Sequence, residues 1–271
     1  MKRHLPSGAT QQLARSSGGV RGLARTPQSL PERSEGVSCE ECALRHVLSD
    51  AGNPDLMALF EAMLAHFGPR HWWPAETPTE MIAGAILTQS VSWRNVRQAL
   101  SNLKDAQLLD FAALHRTPAQ VIEPLVRPTR FYKAKTAKLK AFAAWVTERF
   151  GSDLDTFLIQ APTATKALRS ELLAVHGIGP ETADCILVYA CKLPSFPVDA
   201  YTRRIFSRLG HFDERIGYEE MRDFFMSRLP ADVALFNEYH ALIDAVGHHH
   251  CAPVSPRCGD CPLARYCLAA T

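Results

Sequence analysis

The chain has 271 residues, 46% of them hydrophobic and 21% charged, which suits one large domain or two small ones and excludes a disordered tail protein or a stapled mini-protein. Its longest apolar runs, Met81 to Leu87 and Cys185 to Cys191, are seven residues each, far short of the ~20 needed to cross a bilayer, so the sequence predicts a soluble protein with no membrane partner. Thirty basic against 28 acidic side chains leave a net charge of +2; a nucleic-acid partner would have to be met by a local basic patch.

Gly, Ser, Pro and Arg dominate residues 1–31, with five basic residues and no acid. This predicts a disordered extension over about residues 1–50; an organellar transit peptide or a mis-chosen start codon would share that composition. Cys39 and Cys42 form a lone C-x-x-C there, without the second pair a tetrahedral site needs, and read as incidental thiols. From Pro54 onward the pattern is helical. Leu56, Leu59, Phe60, Met63, Leu64 and Phe67 recur at three and four residues until Gly68-Pro69 stops them, as one buried helix face requires. Further helices are predicted at about 79–90, 92–103, 117–126, 132–149, 165–175, 180–190, 199–209, 218–228 and 231–247, with no hairpin-like alternation, so the expected fold class is all-α. The run Arg127, Arg130, Lys133, Lys135, Lys138 and Lys140, with Phe131 and Tyr132 among them, reads equally as a phosphate-neutralising face or a solvated helix surface.

Three groups of residues carry candidate chemistry. His176-Gly177-Ile178-Gly179-Pro180-Glu181 joins two helices, with proline at the first position of the second and an acid in its first turn. The glycines permit a sharp turn that leaves amide N–H groups outward, suited to a phosphate oxygen, although a Gly-x-Gly turn alone is often only a turn. Phe196-Pro197-Val198-Asp199 opens the next helix, where a lone Asp would be read as a cap. Cys251, Cys258, Cys261 and Cys267 are spaced C-x6-C-x2-C-x5-C; the spacing accepts a tetrahedral zinc or an iron–sulfur cluster, and a reducing compartment suits either.

Taken together, the double-glycine turn, the Val198-Asp199 pair about twenty residues on and the four-cysteine tail resemble the endonuclease III superfamily of helix-hairpin-helix DNA glycosylases over about residues 54–267. The resemblance implies a two-lobed, all-α fold: a six-helix barrel over 75–190 and an iron–sulfur lobe built from 51–74 and 191–271. Double-stranded DNA with a damaged base would bind as partner across the cleft, to a monomer in the cytoplasm, associated with the nucleoid of a bacterium. It places the catalytic aspartate at Asp199, phosphate-binding hairpin residues at Gly177, Ile178 and Gly179, and a [4Fe–4S] cluster on Cys251, Cys258, Cys261 and Cys267. Members that also cut the strand carry a lysine where this sequence has Glu181, and a carboxylate forms no Schiff base. The expected activity is therefore monofunctional hydrolysis.

Trp72-Trp73-Pro74, Ala85 to Val96, Arg127 to Lys135 and Phe236 to Leu242 are similar to the endonuclease III-type 3-methyladenine DNA glycosylases, which also carry Glu at the lysine position. This implies N-alkylated purines as substrates, Trp72 and Trp73 as an aromatic surface for a cationic base, and Gln89 as the residue that fills the gap left by the flipped nucleotide. From its residues alone, Gln89 shares a helical face with Ile82, Ile86 and Trp93 and reads as a satisfied polar group at a core edge. His248 stands beside the first cluster cysteine, where the subgroup often has a basic residue, and is a candidate pocket residue with Glu181. No second acid beside Asp199 stands out in the sequence, consistent with a leaving base that is already cationic. The alternatives are an oxidised-pyrimidine or mismatch glycosylase on the same scaffold, with or without lyase activity, and a catalytically weak damage-binding protein.

Overall fold

Short polar side chains set just before apolar periodicities start five of the α-helices in the computed structural model, which describes residues 54–151, 157–158 and 165–270. These belong to one compact unit, Cys39–Thr271; the extension expected over 1–50, with Cys39 and Cys42, lies outside the described residues. Asp55 caps α1 (Leu56–Phe67) through Ala58 N at 3.2 Å. Thr77 caps α2 (Pro78–Leu87) through Glu80 N, with Pro78 in the first turn. Such caps satisfy amide donors that the helix itself cannot.

The chain continues through α3 (Trp93–Asp105), α4 (Phe111–Arg116), α5 (Ala119–Val126), α6 (Tyr132–Phe150), α7 (Thr165–Ala174) and α8 (Pro180–Cys185). It ends with α9 (Ala200–Leu209), α10 (Tyr218–Arg228) and α11 (Val233–His249). No strand occurs among the described elements, so the class is all-α as expected. Two local differences from the sequence reading have physical causes. Helix α4 was not anticipated: it has six residues capped by Asp110 and buries only Phe111 and Leu114, too little for a period to show. The helix expected over 180–190 holds α-geometry only to Cys185 and then widens into a π turn, Ile186–Ala190, every residue of which is buried; such widenings re-aim side chains inside a helix.

Helix α11 forms the spine of the C-terminal half. It packs against both α1 and α9, and Tyr239 on it donates a buried hydrogen bond to Leu56 O at 2.8 Å, so the first described helix is anchored to the last. Phe196 and Phe225 stack face to face at 4.3 Å beside Phe206, Phe236 and Tyr239. In the other half, α4 and α5 lie on α6, and α2 lies against α3, α6 and the π turn. Between these halves the turn after α2, the start of α8 and the start of α9 converge.

Candidate active site and four-thiol cavity

A cleft of about 690 Å³ opens where those three element ends meet, lined among others by Trp72, Trp73, Trp93, Gln89, Glu181 and Asp199. The expected residues Trp72, Trp73, Gln89, Glu181, Asp199 and His248 all reach this one cavity. Gly177, Ile178 and Gly179 do not line it; the turn is joined to it through Gln89, whose Nε2 donates to Gly177 O at 3.3 Å and to Thr182 Oγ1 at 3.1 Å. Gln89 is therefore tied to the hairpin turn while still lining the cleft.

Asp199 is both a cap and a cleft residue. Its Oδ1 accepts from Thr202 N and Thr202 Oγ1, each at 2.8 Å, while Thr202 Oγ1 in turn accepts from Asp199 N, closing a capping box on α9. Both bonds fall on Oδ1, so Oδ2 keeps its lone pairs for the cavity. The capping reading of the sequence and the functional one thus describe different oxygens of one side chain.

What fixes Asp199 from behind was invisible in the sequence. Asp184, fully buried on α8, accepts from Arg169 of α7 at 2.8 and 2.9 Å and from Tyr218 of α10 at 2.8 Å, and is bonded by Ser195 Oγ. Arg222 approaches the same carboxylate at 3.3 Å. The Asp184 carboxylate holds the Arg169 guanidinium well above its usual pKa. One saturated ion cluster thus ties α7, α8 and α10 to the segment that leads into Asp199.

The structure corrects the basic run at Lys135 and Lys140, while Arg127, Arg130 and Lys133 stay exposed. Lys135 is buried and donates to Leu87 O at 2.8 Å and Thr129 O at 2.7 Å; burial pushes its pKa down to about 8. Lys140 donates to the carbonyls of Leu114, His115 and Thr117. Both are internal ties that satisfy helix-end carbonyls, neither a phosphate-facing nor a freely solvated surface. Lys135 also clamps the end of α2, which leads to Gln89, to the turn that carries Phe131, whose ring is 69% exposed at a φ of +42°. Lys138 bonds Gln89 Oε1 and lays its stem over Gly177, where an added Cβ would sit 2.2 Å from Lys138 Cγ and φ is +83°. Only glycine fits that position.

The tryptophans form one wall. Trp72, Trp73 and Trp93 make a triangle with centroids 5.2–5.3 Å apart, and Trp73 meets Tyr189 edge-on at 5.5 Å. Trp93 belongs to the wall although the sequence reading gave it no site role. Helix α11 presents His240, Asp244 and His248 to the same cleft. Their i, i+4, i+8 spacing on one helix face was the available signal, and only His248 was drawn from it. Reduced hydration in the cleft, then the charge of Asp199, pushes the Glu181 pKa up to about 7; Asp244 is raised by the same two causes against the pull of His240, His248 and Arg70. The cleft therefore holds two further acids beside Asp199: Glu181, expected there, and Asp244, which the sequence reading did not anticipate.

Cys251, Cys258, Cys261 and Cys267 line a separate cavity of about 50 Å³, walled by Ile205, Leu209, Val246 and Leu263. Arg208 donates to Cys251 Sγ at 3.2 Å and to the Ala252 and Pro253 carbonyls, fastening α9 to this loop. No three His, Cys, Asp or Glu side chains among the described residues close on a single metal ion, so the four thiols face a shared space from a distance.

Described elements that are all helical, with a two-glycine turn between helices, an aspartate-headed helix after it and a cleft roomy enough for a base, define a DNA repair glycosylase of the endonuclease III type. Residues 83–231 match the model of the HhH-GPD superfamily base excision DNA repair proteins, and the chain belongs to that family. It is 39% identical over 214 residues, 78% of its length and 94% of the relative's, to the protein of Methanocaldococcus jannaschii named "Putative DNA repair glycosylase". Among solved structures it is similar to the 3-methyladenine DNA glycosylase of H. pylori bound to 1,N6-ethenoadenine, with a TM-score of 0.62 and 25% identity over 70% of this chain and 96% of that one. A trapped endonuclease III–DNA covalent intermediate shares the fold at a TM-score of 0.67 and 19% identity, over 79% of this chain and 94% of the other.

Proposed function

We propose that this glycosylase is monofunctional and releases N-alkylated purines from double-stranded DNA, acting as a monomer in the cytosol. One observation carries the reading: the tryptophan-walled cleft closes on the uncommitted Oδ2 of Asp199, with the Glu181 carboxylate standing where a Schiff base would need an amine. Flipping a base into such a cleft costs a few kcal/mol, least for a damaged pair. Gln89 would fill the vacated stack, the exposed Phe131 ring would wedge the adjacent step, and the amides of the Gly177-Ile178-Gly179 turn would take a phosphate. A cationic base against Trp72, Trp73 and Trp93 gains about 0.5–2 kcal/mol over its neutral parent. As the glycosidic bond breaks, positive charge grows on the sugar. Ionised Asp199 stabilises it and orients or deprotonates the attacking water.

The four-thiol cavity fits a [4Fe–4S] cluster, since four cysteines spread around one apolar space suit a multi-iron cage better than one ion. Bound there, the cluster would staple the C-terminal loop to itself and to the end of α11 through the four cysteine thiolates, while Arg208 fastens that loop to α9, a structural role away from Asp199. The test is base release from defined lesions. Methylated purines should leave in single turnovers, borohydride should trap no covalent DNA adduct, and the protein should hold roughly four irons. Replacing Trp72 or Trp73 by Ala should slow 3-methyladenine release by more than the loss of thermal stability explains. Ready release of oxidised pyrimidines with methylated purines ignored would overturn the substrate, a trapped adduct would overturn the monofunctional chemistry, and stoichiometric zinc without iron would overturn the cluster.

A further inference from the structure

The proposed function uses Asp199, yet the cleft contains a further acid, Asp244, that this chemistry leaves idle. Asp244 lies on the cleft face of α11, one turn from His240 and one from His248. His240 is only 8% exposed. Its Nδ1 is paired with the Tyr189 hydroxyl at 2.7 Å, while its Nε2 has no partner. A buried ring nitrogen is normally satisfied; this one belongs to a residue that lines the cleft, yet the atom itself has almost no accessible surface, so the ring must shift before it can bond a substrate. Tyr189 is itself held against Trp73, so the imidazole is braced by the wall that would stack the base.

We propose that Asp244 is the acid that protonates a neutral leaving base, so that the cleft releases neutral modified purines as well as cationic ones. The inference rests on the glycosylase reading and deepens it. In the step, the Asp244 proton passes to a ring nitrogen of the base, the C1′–N bond breaks and its electron pair goes to the base. Water then adds to C1′ while its proton goes to Asp199, and both carboxyls reset by exchange with solvent. Asp244 and His248 are both exposed along the cleft, so Asp244 takes up its proton from solvent directly. The charged and titratable groups around Asp244 are His240 and His248 on its own helix, Asp199 and Tyr201 at the start of α9, Glu181 on α8 and Arg70 after α1. Partial desolvation by the cleft walls and the Asp199 charge favour the protonated acid although Asp244 is exposed, and the cationic groups oppose them. A cationic base needs no such proton, so the contribution is specific to substrate charge.

The test compares single-turnover release of 3-methyladenine, cationic in DNA, with that of neutral 1,N6-ethenoadenine, in the full-length protein. Asp244→Asn should lower the ratio of neutral to cationic release about 100-fold, the scale of general acid catalysis; a ratio within about threefold of wild type overturns the proposal. In the wild type, neutral-base release should fall on the alkaline side while cationic-base release does not. That limb should survive in Glu181→Gln, whatever the folding of the Asp244 variant; its loss there would reassign the acid to Glu181 and overturn the proposal. A wild-type protein that releases 3-methyladenine but never 1,N6-ethenoadenine refutes this inference alone. One that releases neither refutes the substrate reading and the inference with it.

Discussion

Asp184 and Asp199 flank the same buried segment and are opposite in kind. Asp184 has no exposure and takes bonds on both oxygens, from Arg169, Tyr218 and Ser195. Asp199 commits one oxygen to its own helix and leaves the other to a cavity shared with Glu181 and Asp244. A saturated carboxylate can only hold structure, because every lone pair that could meet a substrate is spent. A half-satisfied carboxylate in a cleft is available for chemistry, and its capping bonds fix where it points.

The contrast can be broken most sharply at Asp199. Asp199→Asn keeps the capping oxygen and removes the charge, so single-turnover base release should fall ~10²–10³-fold with DNA affinity largely kept. Near-wild-type rates would reduce Asp199 to a cap. Asp184→Asn should act through stability instead: unpairing a buried ion cluster costs ~3–5 kcal/mol, read as a melting temperature lower by about 10 °C. A variant that melts normally but no longer releases base would place Asp184 in the reaction and end the distinction.

The hairpin sharpens the same comparison on a smaller scale. At Gly177 the left-handed φ and the Lys138 stem leave no room for a methyl group, whereas at Gly179 nothing lies within 4 Å of the added carbon. Gly177→Ala should therefore cost about 1–3 kcal/mol in denaturant unfolding and weaken DNA binding, and Gly179→Ala within about 1 kcal/mol. The smallest effect belongs to Glu181. Its folded pKa of about 7 lies above its ordinary 4.5, so the native state binds the extra proton and loses stability as pH rises through that window. Glu181→Gln removes this loss and should melt about 1–2 °C higher than wild type at pH 8 and equally at pH 4, the gain being small because the side chain still meets water.

Much of the helical order was legible because its causes are local. Asp55, Thr77 and Asp232 announce helix starts, and Leu56 to Phe67 repeats at helical spacing. Helix α4 escaped notice because six residues with two buried positions carry no period. Trp72, Trp73, Gln89, Glu181, Asp199 and His248 were legible as candidates through motif likeness, and they meet in one cleft. Trp93 and His240 stood inside the similar stretches without being drawn as site residues, and Asp244 stood outside them, since each has an ordinary helical role within its own segment.

By itself, the sequence determined the all-α class, the double-glycine turn and the four-cysteine tail, all written in neighbouring residues and short spacings. Tertiary structure alone decided which charges are structural and which are free. Lys135 and Lys140 read as surface cations until the carbonyls they cap came within reach from distant segments. Asp184 reads like any other helix acid until two arginines from other helices enclose it. Desolvation and pairing depend on what the rest of the chain brings to a side chain, and no window of sequence contains that information.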